Sequence, residues 1–176
     1  MFSSIDLALL EYIQGHRLES LDETLRFFST ITTYISISLI LVVGFIYRFR
    51  RNGLRKMSQL VVVLIVAALI TFLTKSTVDR VRPFRAHETI EKLIKGGGAS
   101  FPSGHTTEAF AIATTLSLLF RRRIVQVPVL IWACLVGYSR LALGVHYPSD
   151  VLGGIIIGTS VAFLVDYCFR RWFNPP

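Results

Sequence analysis

MSQLVVVLIVAALITFLTKSTVDRVRP, residues 57–83, opens on an apolar run and closes on a group of cations. Its first part, Met57–Thr74, holds no charged residue. It reaches the roughly 17 to 25 residues that an α-helix needs to cross about 30 Å of hydrocarbon. Four further runs approach or meet that length: Phe28–Tyr47, Phe101–Phe120, Ile124–Tyr138 and Val151–Phe169. Phe101–Phe120 opens with polar residues, and Ile124–Tyr138 is short unless it continues through Ser139–Leu143. The chain is 52% hydrophobic and 17% charged, and this bunching of the apolar residues is what separates it from a soluble domain. The expected fold is all-α, a polytopic membrane helical bundle of about five transmembrane helices.

Ahead of the first run, Ile5, Leu9 and Ile13 recur at helical spacing, followed by Leu18, Leu21, Leu25 and Phe28, with acids between them. This predicts two short amphipathic helices lying on the membrane surface, separated at Gly15-His16. Ser20 with Glu23 fits a capping box for the second. The chain then divides into residues 1–27, interfacial, and 28–176, membrane-embedded; a sixth, poorly apolar span is the alternative. The acids in this segment do not fit a cleavable signal peptide, so the first span is expected to stay in the mature protein.

The net charge is +8, yet membrane topology explains it without nucleic acid, which is not expected as a partner. Cys134 and Cys168 lack metal-ligand spacing and read as small packing residues inside spans. Five spans put Arg48–Lys56, Arg121–Arg123 and Arg170–Arg171 on one side. Residues 1–27, the loop from Lys75 to Phe101 and the turn Ser139–Asp150 fall on the other. Lys and Arg number ten on the first side and nine on the second, but the first ten sit in short connections at span ends. The positive-inside rule therefore puts them in the cytoplasm. The residues with chemistry then face outward from a bacterial inner membrane.

Lys75 and Arg82 are seven residues apart, close to two helical turns, so a helix running past the membrane edge would show both on one face until Pro83 stopped it. They read either as a phosphate grip or as interfacial anchors, with Asp79 neutralising Lys75. Phe101-Pro102-Ser103-Gly104-His105 forms a turn that opens a helix, where free N–H groups attract an anion. Gly104 permits close approach, Ser103 adds a hydroxyl, and His105 stands beside the anion or is simply a helix-start histidine. Ser139-Arg140 precedes His146, and if the chain is helical from His146, Asp150 shares its face and can fix its tautomer; a plain interfacial His–Asp bond is the alternative. Three separated segments thus bring phosphate-type chemistry to one side of the membrane.

In this combination the chain resembles the type 2 phosphatidic acid phosphatases. Their pattern is Lys, six residues, Arg-Pro; then Pro-Ser-Gly-His; then Ser-Arg, five residues, His, three residues, Asp. All three motifs stand here unsubstituted: Lys75 to Arg82-Pro83, Pro102-Ser103-Gly104-His105, and Ser139-Arg140 to His146 and Asp150. The resemblance implies a lipid phosphatase that uses no metal and no cofactor. In that reading His146 forms a phosphohistidine, Asp150 orients it, His105 acts as general acid, and Lys75, Arg82, Ser103, Gly104 and Arg140 hold the phosphate. Members usually have six spans, and here surface helices are expected in place of the first.

A membrane lipid phosphate is the expected substrate. Undecaprenyl pyrophosphate, lipid A 1-phosphate, phosphatidylglycerol phosphate and phosphatidic acid fit the motifs equally, and oligomeric state is unreadable. A lipid phosphotransferase using the same intermediate is the alternative. A small transporter fits less well, since its charges should lie midway through the spans, and a haloperoxidase of the wider superfamily would be soluble. Glu108 reads as a favourable acid near a helix start or as a site residue, and Gly96-Gly97-Gly98 as a hinge or a turn.

Overall fold

The structure, a computed structural model, describes residues 2–47 and 53–173, so Arg48, Arg50 and Arg51 of the first basic cluster lie outside the described residues. Helices α1 (Phe2–Gly15), α2 (Asp22–Tyr47), α3 (Gly53–Val78), α4 (Pro83–Ala86), α5 (Gly104–Phe120), α6 (Arg123–Ala142) and α7 (Pro148–Phe173) make up the fold, with no strand among the described residues. The segments carrying α2, α3, α6 and α7 are long and apolar enough to cross a membrane. Helix α5 has 17 residues, the lower end of what spans a bilayer, and it is the hub, packed against α7, α6, α3 and α2.

A hub in lipid needs small side chains, because van der Waals contact between backbones replaces the hydrophobic drive available in water. Helix α5 supplies Ala109, Ala111 and Ala113 on its buried surface. The hydroxyls of Thr107, Thr115 and Ser117 donate to the carbonyls four residues back, those of Ser103, Ala111 and Ala113, at 3.0, 2.7 and 2.7 Å. Those polar groups are therefore satisfied within one helix. Helix α7 answers with Gly154 and Gly158: a Cβ on the first would lie 2.8 Å from the Ser103 carbonyl, and one on the second would strike the Thr107 carbonyl. Outside, Phe45, Ile65, Phe72, Ile124 and Phe163 are exposed, an apolar exterior that suits hydrocarbon and not water.

The helix layout departs from the sequence reading in several places. The second surface helix does not form: α2 begins at Asp22 and runs unbroken, which leaves Ser20 in a 3-10 turn (Glu19–Leu21) and not at a helix cap. Helix α3 ends at Val78, before Arg82, because Asp79 takes a left-handed conformation (φ 39°), which a short Asp side chain tolerates. Pro83 therefore opens α4 and does not stop α3. Cys134 and Cys168 face outward. Helix α6, by contrast, runs on to Ala142, the longer of the two readings.

Helix α1 lies across the end of the bundle. Its Leu10 is fully buried with Ile90 and Tyr147. Gln14 donates to the carbonyls of Glu91 (2.9 Å) and Ala142 (3.2 Å) and accepts from the Glu91 N–H (3.1 Å). Its outer face shows Ile5, Leu9 and Tyr12, while Asp6, Leu10 and Gln14 point into the protein.

Candidate active site

The motif residues all lie at the α1 end of the bundle. Lys75, in the last turn of α3, donates to the Ala99 carbonyl at 2.7 Å and not to Asp79. Arg82 is buried and donates to Gly97 O at 2.8 Å, Gly98 O at 3.1 Å and Val145 O at 3.1 Å. The glycine loop thus has a defined part: its Gly97 and Gly98 carbonyls hold Arg82, and that of the next residue, Ala99, holds Lys75. Each cation keeps further N–H groups, since an ammonium carries three donors and a guanidinium five.

Ser103 precedes α5 and is fully buried; its Oγ accepts from Thr106 Oγ1 at 2.9 Å, which leaves its own O–H as a donor. Its N–H donates to the Asp150 carbonyl at 3.0 Å and ties this turn to the third motif. His105 stands in the first turn of α5, with Lys75, Arg82 and Arg140 as its charged neighbours. Gly104 begins the helix, so its N–H is one of the unpaired amides of a helix start.

The third motif differs from expectation in its local conformation. Helix α7 starts at Pro148, so His146 belongs to the preceding turn, where Gly144 at φ 71° reverses the chain. Even so, His146 Nδ1 lies 3.4 Å from Asp150 Oδ2, though outside hydrogen-bond alignment. Arg140 is buried, reaches Ser29 of α2 through Nη1, and has an Nε with no protein partner. Burial, reinforced by the charges of Arg140 and Arg82 and only partly opposed by Asp150, pushes the His146 imidazole down to about 3. It is therefore neutral at physiological pH, with a lone pair on one ring nitrogen.

Sequence reasoning missed Arg80. Its Nη1 donates to Asp150 Oδ1 (2.7 Å) and Ser149 Oγ (2.6 Å), its Nη2 to Asp6 Oδ2 (2.8 Å), and its guanidinium lies 3.9 Å from the centre of the Tyr147 ring. Asp150, fully buried, also accepts from Ser100 Oγ and from the Tyr147 N–H at 2.9 Å. Asp6 of α1 accepts from the Ser149 N–H at 3.0 Å and is bonded to Ser149 Oγ. The carboxylate beside His146 is thereby fixed from every side.

A cavity of about 540 Å³ opens between α2, α3 and α5. Ile37, Leu64, Ala67 and Phe72 line it, and Lys75, Gly104 and His105 close one end. Glu108, one turn from His105, also faces it and accepts from Thr33 Oγ1 at 3.2 Å. Thr33, Ile37 and Phe72 are exposed, so the cavity meets the outer surface of the bundle.

The model of the PAP2 superfamily matches residues 56–174. The chain belongs to the PAP2 superfamily. Among relatives of this PAP2 chain, the undecaprenyl-diphosphatase BcrC of Bacillus subtilis is 35% identical over 85% of the chain and 76% of the relative. The lipid A 4'-phosphatase of Bacteroides thetaiotaomicron is 32% identical over 89% and 73%. The crystal structure of a transmembrane PAP2-type phosphatidylglycerolphosphate phosphatase from B. subtilis matches with a TM-score of 0.84 at 26% identity, covering 99% of this chain and 89% of that one. The PAP2 chain is an integral membrane phosphatase.

Proposed function

We propose that this phosphatase hydrolyses the phosphomonoester or diphosphate of a membrane lipid through a phosphohistidine on His146, without a metal ion. One observation carries the reading: a neutral, buried His146, backed by a fixed carboxylate, shares the neighbouring cations Arg82 and Arg140 with His105, which with Lys75 closes one end of an apolar cavity. The lipid chain lies along the cavity. The phosphoryl oxygens take the spare donors of Lys75, Arg82, Ser103 and Gly104, and the buried Nε of Arg140 gains an acceptor. Nε2 of His146 attacks phosphorus, the P–O bond to the lipid breaks, and His105 gives its proton to the departing oxygen. Water then attacks the phosphohistidine, His105 recovers the proton, and phosphate leaves. Asp150 stabilises the cationic imidazole of the intermediate, and the three cations spread the charge of each transition state.

The similarity to BcrC makes undecaprenyl diphosphate the first substrate to test, with lipid A phosphate and phosphatidylglycerol phosphate beside it. The active site faces outward from the inner membrane, with Arg55, Lys56 and Arg121–Arg123 inside. The decisive experiment offers radiolabelled lipid phosphate to purified protein and quenches in base. An alkali-stable, acid-labile label is expected on wild type and absent from His146→Ala. His105→Ala should lose most activity on the lipid yet keep more on an activated ester, whose leaving oxygen hardly needs a proton. Label on His146→Ala, equal losses on both esters, or phosphate delivered to a second lipid in place of water would each overturn its part of the proposal.

A further inference from the structure

Glu108 is a charge that the mechanism does not use. It is half-buried in α5, three residues or about 4.5 Å along the helix from His105, and it faces the same cavity. Side chains on a helix lean towards its N-terminus, which here is the phosphate end. The residue four back is Gly104, so no side chain on that row of the helix stands between the carboxylate and the phosphate site. An ionisable group within a span is costly to keep and points to function unless packing or electrostatics accounts for it.

Neither accounts for it here. The helix dipole favours an acid within the first turn, and Glu108 is the fifth residue of α5, past a first turn that holds no acid. Thr33 Oγ1 donates to Glu108 Oε2 at 3.2 Å, but a threonine in a helix can give its hydroxyl proton to its own backbone, as the adjacent Thr32 does to Phe28 O at 2.8 Å. No described residue donates to Glu108 Oε1. The other hydroxyls of the cavity wall are committed or sealed off: Ser36 donates to Thr32 O at 2.9 Å and Thr107 to Ser103 O at 3.0 Å, while Thr71 Oγ1 is buried. One turn in from the phosphate site, the cavity therefore offers an anionic acceptor and, among the described residues, no spare donor. A ligand group at that level is matched if it carries an O–H or N–H and mismatched if it is a second anion.

On the reading above, in which the lipid lies along the cavity with its phosphate at Lys75 and His105, we propose that Glu108 selects the substrate by accepting a hydrogen bond from a hydroxyl or amide N–H next to the phosphate ester. A glycerol phosphate with a free neighbouring hydroxyl supplies that donor, and so does an amino-sugar phosphate with a neighbouring amide. Phosphatidic acid does not, because its neighbouring oxygen is acylated. A prenyl diphosphate brings instead a second phosphate, which the carboxylate repels. Phosphatidylglycerol phosphate and lipid A 1-phosphate therefore outrank phosphatidic acid and undecaprenyl diphosphate as substrates.

The test measures phosphate release by purified protein in mixed micelles from four lipids: phosphatidylglycerol phosphate, its analogue lacking the free glycerol hydroxyl, phosphatidic acid with the same acyl chains, and undecaprenyl diphosphate. Wild type should favour the first over its deoxy analogue by about tenfold to a hundredfold in kcat/KM, the range for one hydrogen bond to a charged group. Glu108→Ala should bring that ratio close to one and narrow the gap to undecaprenyl diphosphate. Glu108→Gln, which keeps a carbonyl acceptor without the charge, should fall between. Each ratio is taken within one preparation, so a smaller folded fraction cancels. A ratio near one in wild type, an undiminished ratio in Glu108→Ala, or a loss of the same size on all four lipids, the mark of a merely structural residue, would overturn the role of Glu108 and leave the phosphatase reading intact. Wild type that released phosphate from none of the four would overturn both.

Discussion

Replacing Arg80 with Ala removes the group that joins two buried carboxylates. The side chains of Asp6 and Asp150 are 8% and 0% exposed and that of Arg80 23%, so two buried carboxylates share one partly buried guanidinium. Deleting one partner of a buried ion pair costs about 3 to 5 kcal/mol, because a charge is left uncompensated. Asp150 keeps the donors Ser100 and Tyr147 N–H, which places the expected loss near the lower figure, about 3 kcal/mol. If all of it fell on the orientation of His146, kcat would drop by about a hundredfold, since each 1.36 kcal/mol is a factor of ten. KM should change less than kcat, because the guanidinium donors of Arg80 are already engaged by Asp150, Ser149 and Asp6. Arg80→Lys should be nearly as impaired: a point charge cannot reproduce a fork that serves Asp150 and Ser149 with one nitrogen and Asp6 with the other. The sharpest check is the double variant Arg80→Ala/Asp6→Asn, measured by steady-state kinetics and thermal unfolding in detergent. It should be no worse than Arg80→Ala, since neutralising Asp6 removes one stranded charge. Additive losses, or a wild-type kcat in Arg80→Ala, would refute the assignment.

Gly158→Val should destabilise by about 1 to 3 kcal/mol through overpacking against the Thr107 carbonyl, whereas Gly97→Ala, which meets nothing within 4 Å, should leave the melting temperature unchanged; equal effects would mean that α5 and α7 are not in close contact. His146, at about 3 in the folded protein against about 6.5 unfolded, takes up its proton on unfolding anywhere between those values, so it costs stability progressively as pH falls below about 6.5. The melting temperature of His146→Gln should accordingly fall less steeply between about pH 6.5 and 5, and parallel curves for variant and wild type would disprove a depressed imidazole. Sidedness is open to thiol labelling in a Cys134→Ser/Cys168→Ser background: Gly97→Cys should react with an impermeant reagent in intact spheroplasts and Arg122→Cys should not, and the reverse pattern would invert the topology.

The sequence placed the motif residues at one end of the bundle more accurately than it drew the connections between them. Pro102–His105 could be read as a turn before a helix without tertiary information, but His146 meets Asp150 from the turn ahead of α7 and not through the helical offset that the spacing suggested. The end of α3 could not be read, since a left-handed Asp79 leaves no mark in a hydrophobic pattern. The start of α2 was missed because span counting follows apolar residues only. Asp22, Glu23 and Arg26 continue the same helix beyond the apolar stretch, with Arg26 donating to Glu23 at 2.8 Å. Arg80 was hidden for a different reason: its partner Asp6 is 74 residues away, and an arginine near a span end looks like any headgroup anchor until the fold brings α1 across it.

The cavity between α2, α3 and α5 reaches the flank of the bundle through Thr33, Ile37 and Phe72 and is not confined to its watery end. An enzyme with a sideways doorway samples its substrate in two dimensions. Its rate then tracks the mole fraction of substrate in the bilayer, and diluting that bilayer with inert lipid slows it even when the molarity in the tube is unchanged. With the lipid lying along the cavity as proposed, the substrate would not have to be lifted out of the hydrocarbon to be processed, and the dephosphorylated lipid would return by the same door to the leaflet from which it came.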